Sequence, residues 1–280
     1  MKRVLALCAD DFGQAPGISA GIVRLALARR LSAISCITNG TQWALDAPLL
    51  RGLPASVDLG LHFNLTEGRP LGPRLAQVWP ELPGLKALIA RAHLGLLPRG
   101  AIRSEFQAQI KAFVDATGVA PAYIDGHQHV HALPIVRGLI LDTVEHMRPM
   151  PALRSTGRIL GPGFALKRQV IERSGGRALA RELVQRELAH NPCLLGVYDF
   201  SEANYRALMQ GWLKQVPPEG ALLFCHPGEA ASPPAADAIA AARVRELAYF
   251  ESAAFVQDLA QAGVVLGPVW RVVSGTSSAG

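Results

Sequence analysis

In Val4-Leu5-Ala6-Leu7-Cys8-Ala9-Asp10-Asp11-Phe12-Gly13, a short apolar run ends in two adjacent carboxylates. A run of this length bounded by polar residues and glycine is typical of a buried β-strand. Three further blocks repeat the pattern, a short β-like segment that ends in a carboxylate or an imidazole: Gly60-Leu61-His62-Phe63-Asn64, Asp125-Gly126-His127-Gln128-His129-Val130-His131 and Leu223-Phe224-Cys225-His226-Pro227-Gly228. The repeated placement predicts one metal site built from strand ends that are distant in sequence.

Around these blocks, strand and helix patterns alternate along the chain. Strands are predicted at residues 4–9, 33–38, 57–63, 122–125, 152–155, 194–198, 221–225 and 264–266. Helices are predicted at residues 17–30, 101–117, 134–145, 178–190, 202–215 and 238–261. This alternation predicts an α/β fold with mainly parallel strands, a (β/α) barrel that is irregular or incompletely closed. An open doubly wound sheet is the alternative architecture.

The chain is predicted to form one domain over residues 1–273, followed by a disordered tail at 274–280. Two stretches, 68–100 and 158–176, interrupt the alternation. Insertions after barrel strands often form lids or substrate walls, and the alternatives here are a dimer contact or plain surface. The apolar character of these insertions is consistent with a homodimer.

Composition narrows the class of protein. The 280 residues are half apolar, enough for a large core, so a soluble globular enzyme is expected. The net charge of +6 comes from scattered arginines without a basic, aromatic-interleaved run, so no nucleic-acid partner is predicted. No stretch has 18 continuous apolar residues, so no integral membrane segment is expected. Four cysteines without CxxC spacing, and an N-terminus that enters a strand at once, favour a cytoplasmic location.

The polar groups at the predicted strand ends suit a single ion. In a parallel barrel the carboxyl ends of all strands open on one face, where catalysis takes place. A carboxylate and two neutral imidazoles leave coordination positions open for water and substrate, as in catalytic Zn²⁺ sites. We assign Asp11, His62 and His127 as the ligands of one divalent metal ion.

Two further residues are predicted to be catalytic. Adjacent carboxylates in an extended segment point apart, so Asp10 can act as general base while Asp11 binds the ion. His226 precedes Pro227, which favours an extended backbone at His226 and directs its side chain to the mouth of the barrel. His226 is therefore a candidate acid that protonates the leaving group. Other strand-end residues are predicted to support the site or contact the substrate: Asn39, Asp125, His129, His131 and Arg154.

Other kinds of protein compete with this interpretation. Gly17-Ile18-Ser19-Ala20-Gly21 has the G-x-S-x-G spacing of serine esterases, but that motif needs a strand running directly into the serine. A phosphoesterase or an amidohydrolase could use the same face of the barrel, although amidohydrolases place a His-x-His after their first strand. A catalytically silent carbohydrate-binding barrel is a further alternative.

In their order along the chain, the four blocks resemble the YdjC-like carbohydrate deacetylases, which include chitooligosaccharide deacetylases. Ile37-Thr38-Asn39-Gly40 is similar to a Val-Asn-Gly common there after the second strand. The resemblance implies a barrel-like α/β fold, a divalent ion that is Mg²⁺ or Zn²⁺, and hydrolysis of an N-acetyl group on an amino sugar or oligosaccharide. By position, Asp11, His62 and His127 match the family's metal ligands, and Asp10 matches its base. Residues 68–100 and 158–200 match no one member, and a branch linked to hopanoid lipid synthesis also fits the motifs.

Overall fold

The computed structural model describes residues 2–230 and 237–272. Its core is an eight-stranded sheet. The strands are β1 (Arg3–Phe12), β2 (Ala33–Cys36), β3 (Asp58–Phe63), β4 (Tyr123–Gly126), β5 (Ala152–Leu153), β6 (Leu194–Leu195), β7 (Ala221–Cys225) and β8 (Val264–Leu266). Every predicted strand is present, although β2, β5 and β6 are shorter than predicted.

All strand pairings in this sheet are parallel. The order is β5-β4-β3-β2-β1-β7-β6, and β8 pairs with the beginning of β1. Only isolated bridges, Leu153 with His190 and Ile159 with Leu194, join the β5 and β6 sides within the described residues. The sheet is therefore a curled, incompletely closed α/β barrel, as predicted.

Helices cover the outside of the sheet and fill the connections. They are α1 (Pro16–Leu27), α2 (Trp43–Asp46), α3 (Pro73–Val78), α4 (Leu85–His93), α5 (Arg99–Thr117), α6 (Val136–Val144), α7 (Ala165–Ile171), α8 (Arg177–Gln185), α9 (Tyr205–Lys214), α10 (Ala240–Glu251) and α11 (Ala253–Ala262). The predicted single helix 238–261 is divided, because Ser252 is extended and separates α10 from α11. None of the described helices is both long and apolar enough to span a bilayer.

Alternation along the strands separates two cores. In β1, Leu5, Leu7 and Ala9 pack in the larger cluster with the helices, whereas Ala6 and Cys8 belong to the smaller cluster inside the barrel. A strand side chain changes face at every residue, so the inward face of β1 continues to Asp10. The same rule brings Ser35, His62 and Asp125 to the barrel interior. Strand periodicity thus gathers the polar groups at one end.

The barrel interior below the site is filled by aromatic side chains. Tyr123 is fully buried and stacks on Trp270 with ring centroids 4.6 Å apart. It crosses the interior against Gly60, where the Cβ of any larger residue would lie 2.3 Å from the Tyr123 ring carbon Cζ. Glycine at position 60 is therefore what allows this ring to fill the barrel.

The two insertions contain helices of their own. Residues 68–100 include α3 and α4, and residues 158–176 include α7. The tail predicted to be disordered, 274–280, lies outside the described residues, as does residue 273 at the end of the predicted domain.

Candidate metal and catalytic site

A bulge at the end of β1 brings two adjacent carboxylates to one site. Between Ala9 and Phe12, β1 advances by three residues while β2 advances by two, from Ile34 to Cys36. Asp11 has a φ of 73°, in the left-handed region that most residues avoid. Regular alternation would turn Asp11 outward after Asp10, and the bulge re-aims it. Strain at this position is a cost that a functional site can sustain.

The three residues predicted to be metal ligands, Asp11, His62 and His127, lie together at one point. The Asp11 carboxylate oxygen Oδ1 lies 2.9 Å from His127 Nδ1 and 3.5 Å from His62 Nε2. One atom from each residue lies within 4.8 Å of the other two, and all three side chains are buried. Nitrogen and oxygen ligands bound at about 2.0–2.2 Å can surround one ion with this spacing.

The charges in this cluster also favour a cation. Burial lowers the pKa of His62, but Asp125 and Asp10 outweigh it and raise the pKa to about 10. Burial likewise lowers the pKa of His127, and Asp11 raises it to about 9. Burial would raise the pKa of Asp11, yet Arg243 and His127 hold it well below its usual range. The neighbouring carboxylates therefore stabilise positive charge at this point, whether it is carried by the imidazoles or by a bound ion.

Asp125 and Arg154 fix the orientation of the neighbouring groups. His62 Nδ1 lies 2.6 Å from the fully buried Asp125 carboxylate, which leaves Nε2 facing Asp11. Arg154 donates two hydrogen bonds to Asp10, of 2.7 and 2.6 Å, and lies 2.5 Å from Asp125. Burial would raise the pKa of Asp10, but Arg154 and His62 lower it overall. Arg154 is fully buried, so it supports the site and does not contact the cavity.

A second group of ligand-type residues, Cys8, Asp10 and Asp125, also lies within metal-binding distances. The Arg154 guanidinium lies among them, with Nη2 3.1 Å from the Cys8 sulfur. A buried cation already compensates these acids, and burial raises the pKa of the Cys8 thiol. Within this group the Arg154 guanidinium already holds both Asp10 oxygens.

The three histidines after β4 have different surroundings because the strand ends at Gly126. Gln128 and His129 have left-handed φ values of 53° and 61° inside a 3₁₀ turn at His127–Ala132. His131 is buried and its Nε2 donates to the Arg154 carbonyl, at 2.9 Å. His129 lines the cavity beside Phe224, with ring centroids 5.4 Å apart. His131 is thus a structural support, and His129 faces the space where a substrate can lie.

His226 follows β7 and faces the same cavity. Its ring is roughly perpendicular to the rings of Phe200 and Phe224, at centroid distances of 5.3 and 5.5 Å. Its backbone N–H donates to the buried Glu246 carboxylate at 2.5 Å, and the Tyr198 hydroxyl donates to the other carboxylate oxygen. Burial lowers the pKa of His226 to about 4, although Asp11 and Asp10 oppose the shift. The imidazole is therefore neutral at pH 7.

The cavity above the cluster has a volume of about 1020 Å³. Both insertions contribute to its wall, through Leu85 from α4 and through Lys167 and Ile171 from α7. Lys167 Nζ lies 4.7 Å from the centre of the Phe200 ring. The space is large enough for a ligand of several sugar rings and offers aromatic faces beside charged groups.

Several residues of the site were not predicted from the sequence. Arg243 in α10 donates to Asp11 Oδ2 at 2.8 Å, and Glu67 Oε1 lies 3.1 Å from His127 Nε2. Gln14 contacts both Glu67 and Arg243. Gln14 follows the Asp10-Asp11 block by three residues, which could have identified it, whereas Arg243 lies within an ordinary helical pattern.

Asn39 and Ser19 lie outside the cluster. Asn39 does not line the cavity; it donates to the Arg69 carbonyl and accepts from Asn64, so it supports the connection after β3. Ser19 is buried in α1, where its hydroxyl accepts the Gly13 N–H at 3.0 Å. That position is not the strand-to-helix turn that an esterase nucleophile requires.

Known proteins share this fold and sequence pattern. A protein from Enterococcus faecalis V583, named for cellobiose-phosphate cleavage, has a crystal structure that matches with a TM-score of 0.70 at 18% identity, over 96% of this chain and 98% of that one. This likeness shows the fold.

Sequence comparison gives relatives of higher identity. A chitooligosaccharide deacetylase of Serratia marcescens is 30% identical over 236 residues, which cover 81% of this chain and 82% of the relative. A mouse carbohydrate deacetylase is 34% identical over 166 residues, 55% of this chain. That match spans 52%, about half, of the mouse protein's length.

The sequence model of the family described as YdjC-like protein matches residues 4–261, a range that holds nearly all of β1, the strands β2 to β7 and all ten predicted site residues. The chain belongs to the YdjC-like protein family.

Proposed function

We propose that this protein is a metal-dependent hydrolase that removes an acetyl group from an N-acetylated amino sugar or oligosaccharide. The observation that carries the proposal is the buried cluster of Asp11, His62 and His127 at the base of a large cavity, with Asp10 beside it. The names of the mouse and Serratia relatives, a carbohydrate deacetylase and a chitooligosaccharide deacetylase, support the deacetylation.

The donor set fits one divalent ion, and the proposed ligands are Asp11, His62 and His127. One carboxylate oxygen and two imidazole nitrogens match both the spacing and the chemistry of catalytic metal sites. Two imidazoles favour Zn²⁺, whereas Mg²⁺ prefers oxygen ligands, and we propose one of these two ions. When bound, the ion would polarise the acetyl carbonyl and make an adjacent water more acidic.

Residues beside the proposed metal site would transfer the protons of the reaction. Asp10 is ionised and would take a proton from the attacking water while the water oxygen bonds to the acetyl carbon. Arg154 holds both Asp10 oxygens, which fixes the direction of this base. As the carbon–nitrogen bond breaks, the proton that Asp10 took from the water must reach the amine nitrogen. His226 would relay it, because developing negative charge on the substrate raises the pKa of a neighbouring imidazole. The products are acetate and a free amino sugar.

The wall of the cavity would hold the sugar. Phe200 and Phe224 present aromatic rings beside His226, and Lys167 lies against Phe200. His129 faces the same space and is a candidate substrate contact. Residues 68–100 and 158–176 would select the length and linkage of the sugar, since both segments reach the cavity.

We also propose a cytoplasmic location and a homodimer. All four cysteines are buried and free, which suits a reducing compartment. Exposed leucines and valines on the insertions, Leu94, Leu96, Leu166 and Val170, offer apolar surface for a second copy.

The test is acetate release from a panel of N-acetylated sugars and chitooligosaccharides. Each substrate is incubated with protein and Mg²⁺, Zn²⁺, Co²⁺ or a chelator. We expect release from at least one substrate that depends on the ion and stops with chelator. Saturable sugar binding without acetate release under any ion would replace the proposal with a carbohydrate-binding barrel.

A further inference from the structure

The connection after β3 holds one carboxylate against a proposed metal ligand. Glu67 Oε1 lies 3.1 Å from His127 Nε2, on the side of the ring opposite to Asp11. The contact is at ion-pair distance but lacks the alignment of a full hydrogen bond. His127 is therefore placed between two carboxylates, one at each ring nitrogen.

His62 shows the same arrangement with the nitrogens exchanged. Its Nδ1 lies 2.6 Å from Asp125, and its Nε2 faces Asp11. A histidine that ligates a metal through one nitrogen usually donates the other N–H to a carboxylate or carbonyl, which fixes the tautomer and the direction of the ring. By this rule His62 would bind through Nε2 and His127 through Nδ1.

Glu67 is itself held in place. Asn64 Oδ1 accepts the backbone N–H groups of Thr66 and Glu67, and Asn64 Nδ2 donates to the Glu67 carbonyl at 2.8 Å. Asn64 is buried, so the turn that presents Glu67 is anchored to the end of β3. The carboxylate is not a freely moving surface group, although its side chain is 46% exposed.

The contacts continue around the site and return to Asp11. Gln14 Nε2 donates to Glu67 Oε2 at 2.8 Å, and Gln14 Oε1 accepts from Arg243 at 3.1 Å. Arg243 donates from the same nitrogen to Asp11 Oδ2 at 2.8 Å. Arg243 thus contacts Asp11 and Glu67 contacts His127, each on the side away from the other proposed ligand. Gln14 links Arg243 and Glu67. The contact between Asp11 Oδ1 and His127 Nδ1 completes this circuit of contacts.

We propose that Glu67 is a positioning residue that holds His127 for metal binding through Nδ1, with Gln14 and Arg243 completing the support behind Asp11. The inference rests on the proposed metal site and concerns how that site is prepared. Glu67 contacts His127 from outside the cluster, so its effect is on the direction and tautomer of the imidazole. Removing such a partner typically weakens metal affinity by about 10–100-fold.

The experiment uses the full chain and Co²⁺ alone as the probe. Affinity is measured by calorimetry for the wild type, Glu67→Ala, Glu67→Gln and the control Glu81→Gln. Glu81 carries the same charge on the same connection, but its side chain is 77% exposed and its nearest basic atom, on Arg69, is 3.8 Å away. We expect Glu67→Ala to weaken Co²⁺ binding by about 10–100-fold, Glu67→Gln to lose less because its amide oxygen can still lie against His127 Nε2, and Glu81→Gln to match the wild type.

A second readout separates positioning from general damage. In the Co²⁺-loaded protein, the shifted proton NMR signals of the two ligand N–H groups are followed after transfer to D₂O. In Glu67→Ala the His127 signal should exchange faster, while the His62 signal, protected by Asp125, should persist. Wild-type Co²⁺ affinity together with unchanged exchange in Glu67→Ala would overturn the inference.

Failure of the metal site itself would look different. A wild-type chain that binds no Co²⁺ would overturn the proposed site and this inference with it. Weakened binding in Glu67→Ala, without acetate release from any substrate by the wild type, would support the inference while the proposed activity fails.

Discussion

Asp10 is the residue whose charge matters most to the proposed chemistry. Asp10→Asn keeps the size of the side chain and removes its ability to take a proton, so acetate release should fall by about 10²-fold or more. Metal content should be retained, because Asp10 is not among the proposed ligands. The variant leaves Arg154 paired with Asp125, so the barrel should still fold. Elemental analysis and kcat are measured on the same preparation, and a fully active Asp10→Asn protein would remove Asp10 from the mechanism.

Glu246 gives a prediction about stability at the residue scale. Burial raises its pKa to about 7, although the Tyr198 hydroxyl and the His226 N–H favour the ionised form. Since the folded pKa lies above the unfolded value near 4.5, the folded state binds more protons in between. Stability from this group should therefore fall as the pH rises from 4.5 through 7 and then level off.

Glu246→Gln removes that titration and can keep both contacts, with its amide oxygen accepting from the His226 N–H and its amide N–H donating to the Tyr198 hydroxyl oxygen. One pKa unit corresponds to about 1.4 kcal/mol. The difference in the free energy of unfolding between the variant and the wild type should therefore rise, in favour of the variant, by about a few kcal/mol from pH 5 to pH 8. The free energy of unfolding is measured in urea at both pH values. The control is Glu251→Gln on the same helix, where the carboxylate is exposed. A difference between Glu246→Gln and wild type that does not change with pH would contradict the assignment.

At the scale of elements, the structure explains which parts of the site the sequence could predict. Asp10, His62 and Asp125 follow from strand alternation alone, and all of them face the barrel interior. Asp11 does not, because its direction depends on a bulge and a left-handed φ that a one-residue register change creates. Arg243 was missed because it reaches β1 only after α10 has packed, and helical periodicity does not identify tertiary partners.

The strand order shows a second limit. Eight strands and their parallel direction follow from the alternation, but short strands such as β5 and β6 are decided by long-range pairing. β6 ends where Gly196 adopts a φ of 107°, three residues earlier than the apolar run suggests. Similarly, Ser252 divides the last helical region although its neighbours favour helix on both sides.

The packing of β3 against β4 can be tested with a single methyl group. Gly60→Ala would place Cβ 2.3 Å from the Tyr123 ring. This ring stacks on Trp270, and its hydroxyl group is hydrogen-bonded to Ser35. Because that ring is fully buried among these contacts, we expect a loss of about 1–3 kcal/mol in the free energy of unfolding. The matched control is Gly138→Ala in α6, where nothing lies within 4 Å of the new Cβ. There the same change should stabilise by about 0.5–1 kcal/mol.

Urea denaturation of the wild type, Gly60→Ala and Gly138→Ala measures both changes in the free energy of unfolding, which should have opposite signs. Equal stability of Gly60→Ala and the wild type would mean that the Tyr123 ring can move, and that the barrel interior is less tightly filled than the 2.3 Å approach implies.

At the scale of the whole molecule, the proposed ligands join three separate parts of the sheet. Asp11 lies near the end of β1, His62 lies in β3, and His127 follows β4. Nothing in an unfolded chain keeps these residues together, so an ion that binds them binds the folded state. Such binding adds about 2.7 kcal/mol when the free ion is at 100 times its Kd.

That gain should appear as a rise in the unfolding temperature. For a chain of this size, 1 kcal/mol corresponds to roughly 2–4 °C, so Zn²⁺ should raise Tm by about 5–10 °C, and chelator should reverse the rise. His62→Ala and His127→Ala should lower the metal content and lose most of the Zn²⁺-dependent shift. The control is His146→Ala, a histidine remote from the cluster whose ring lies against the Asp142 carbonyl at the end of α6, and it should retain the full shift. If both ligand variants keep the wild-type metal content and Tm response, the ion binds elsewhere on the molecule, and the proposed chemistry at Asp10 loses its basis.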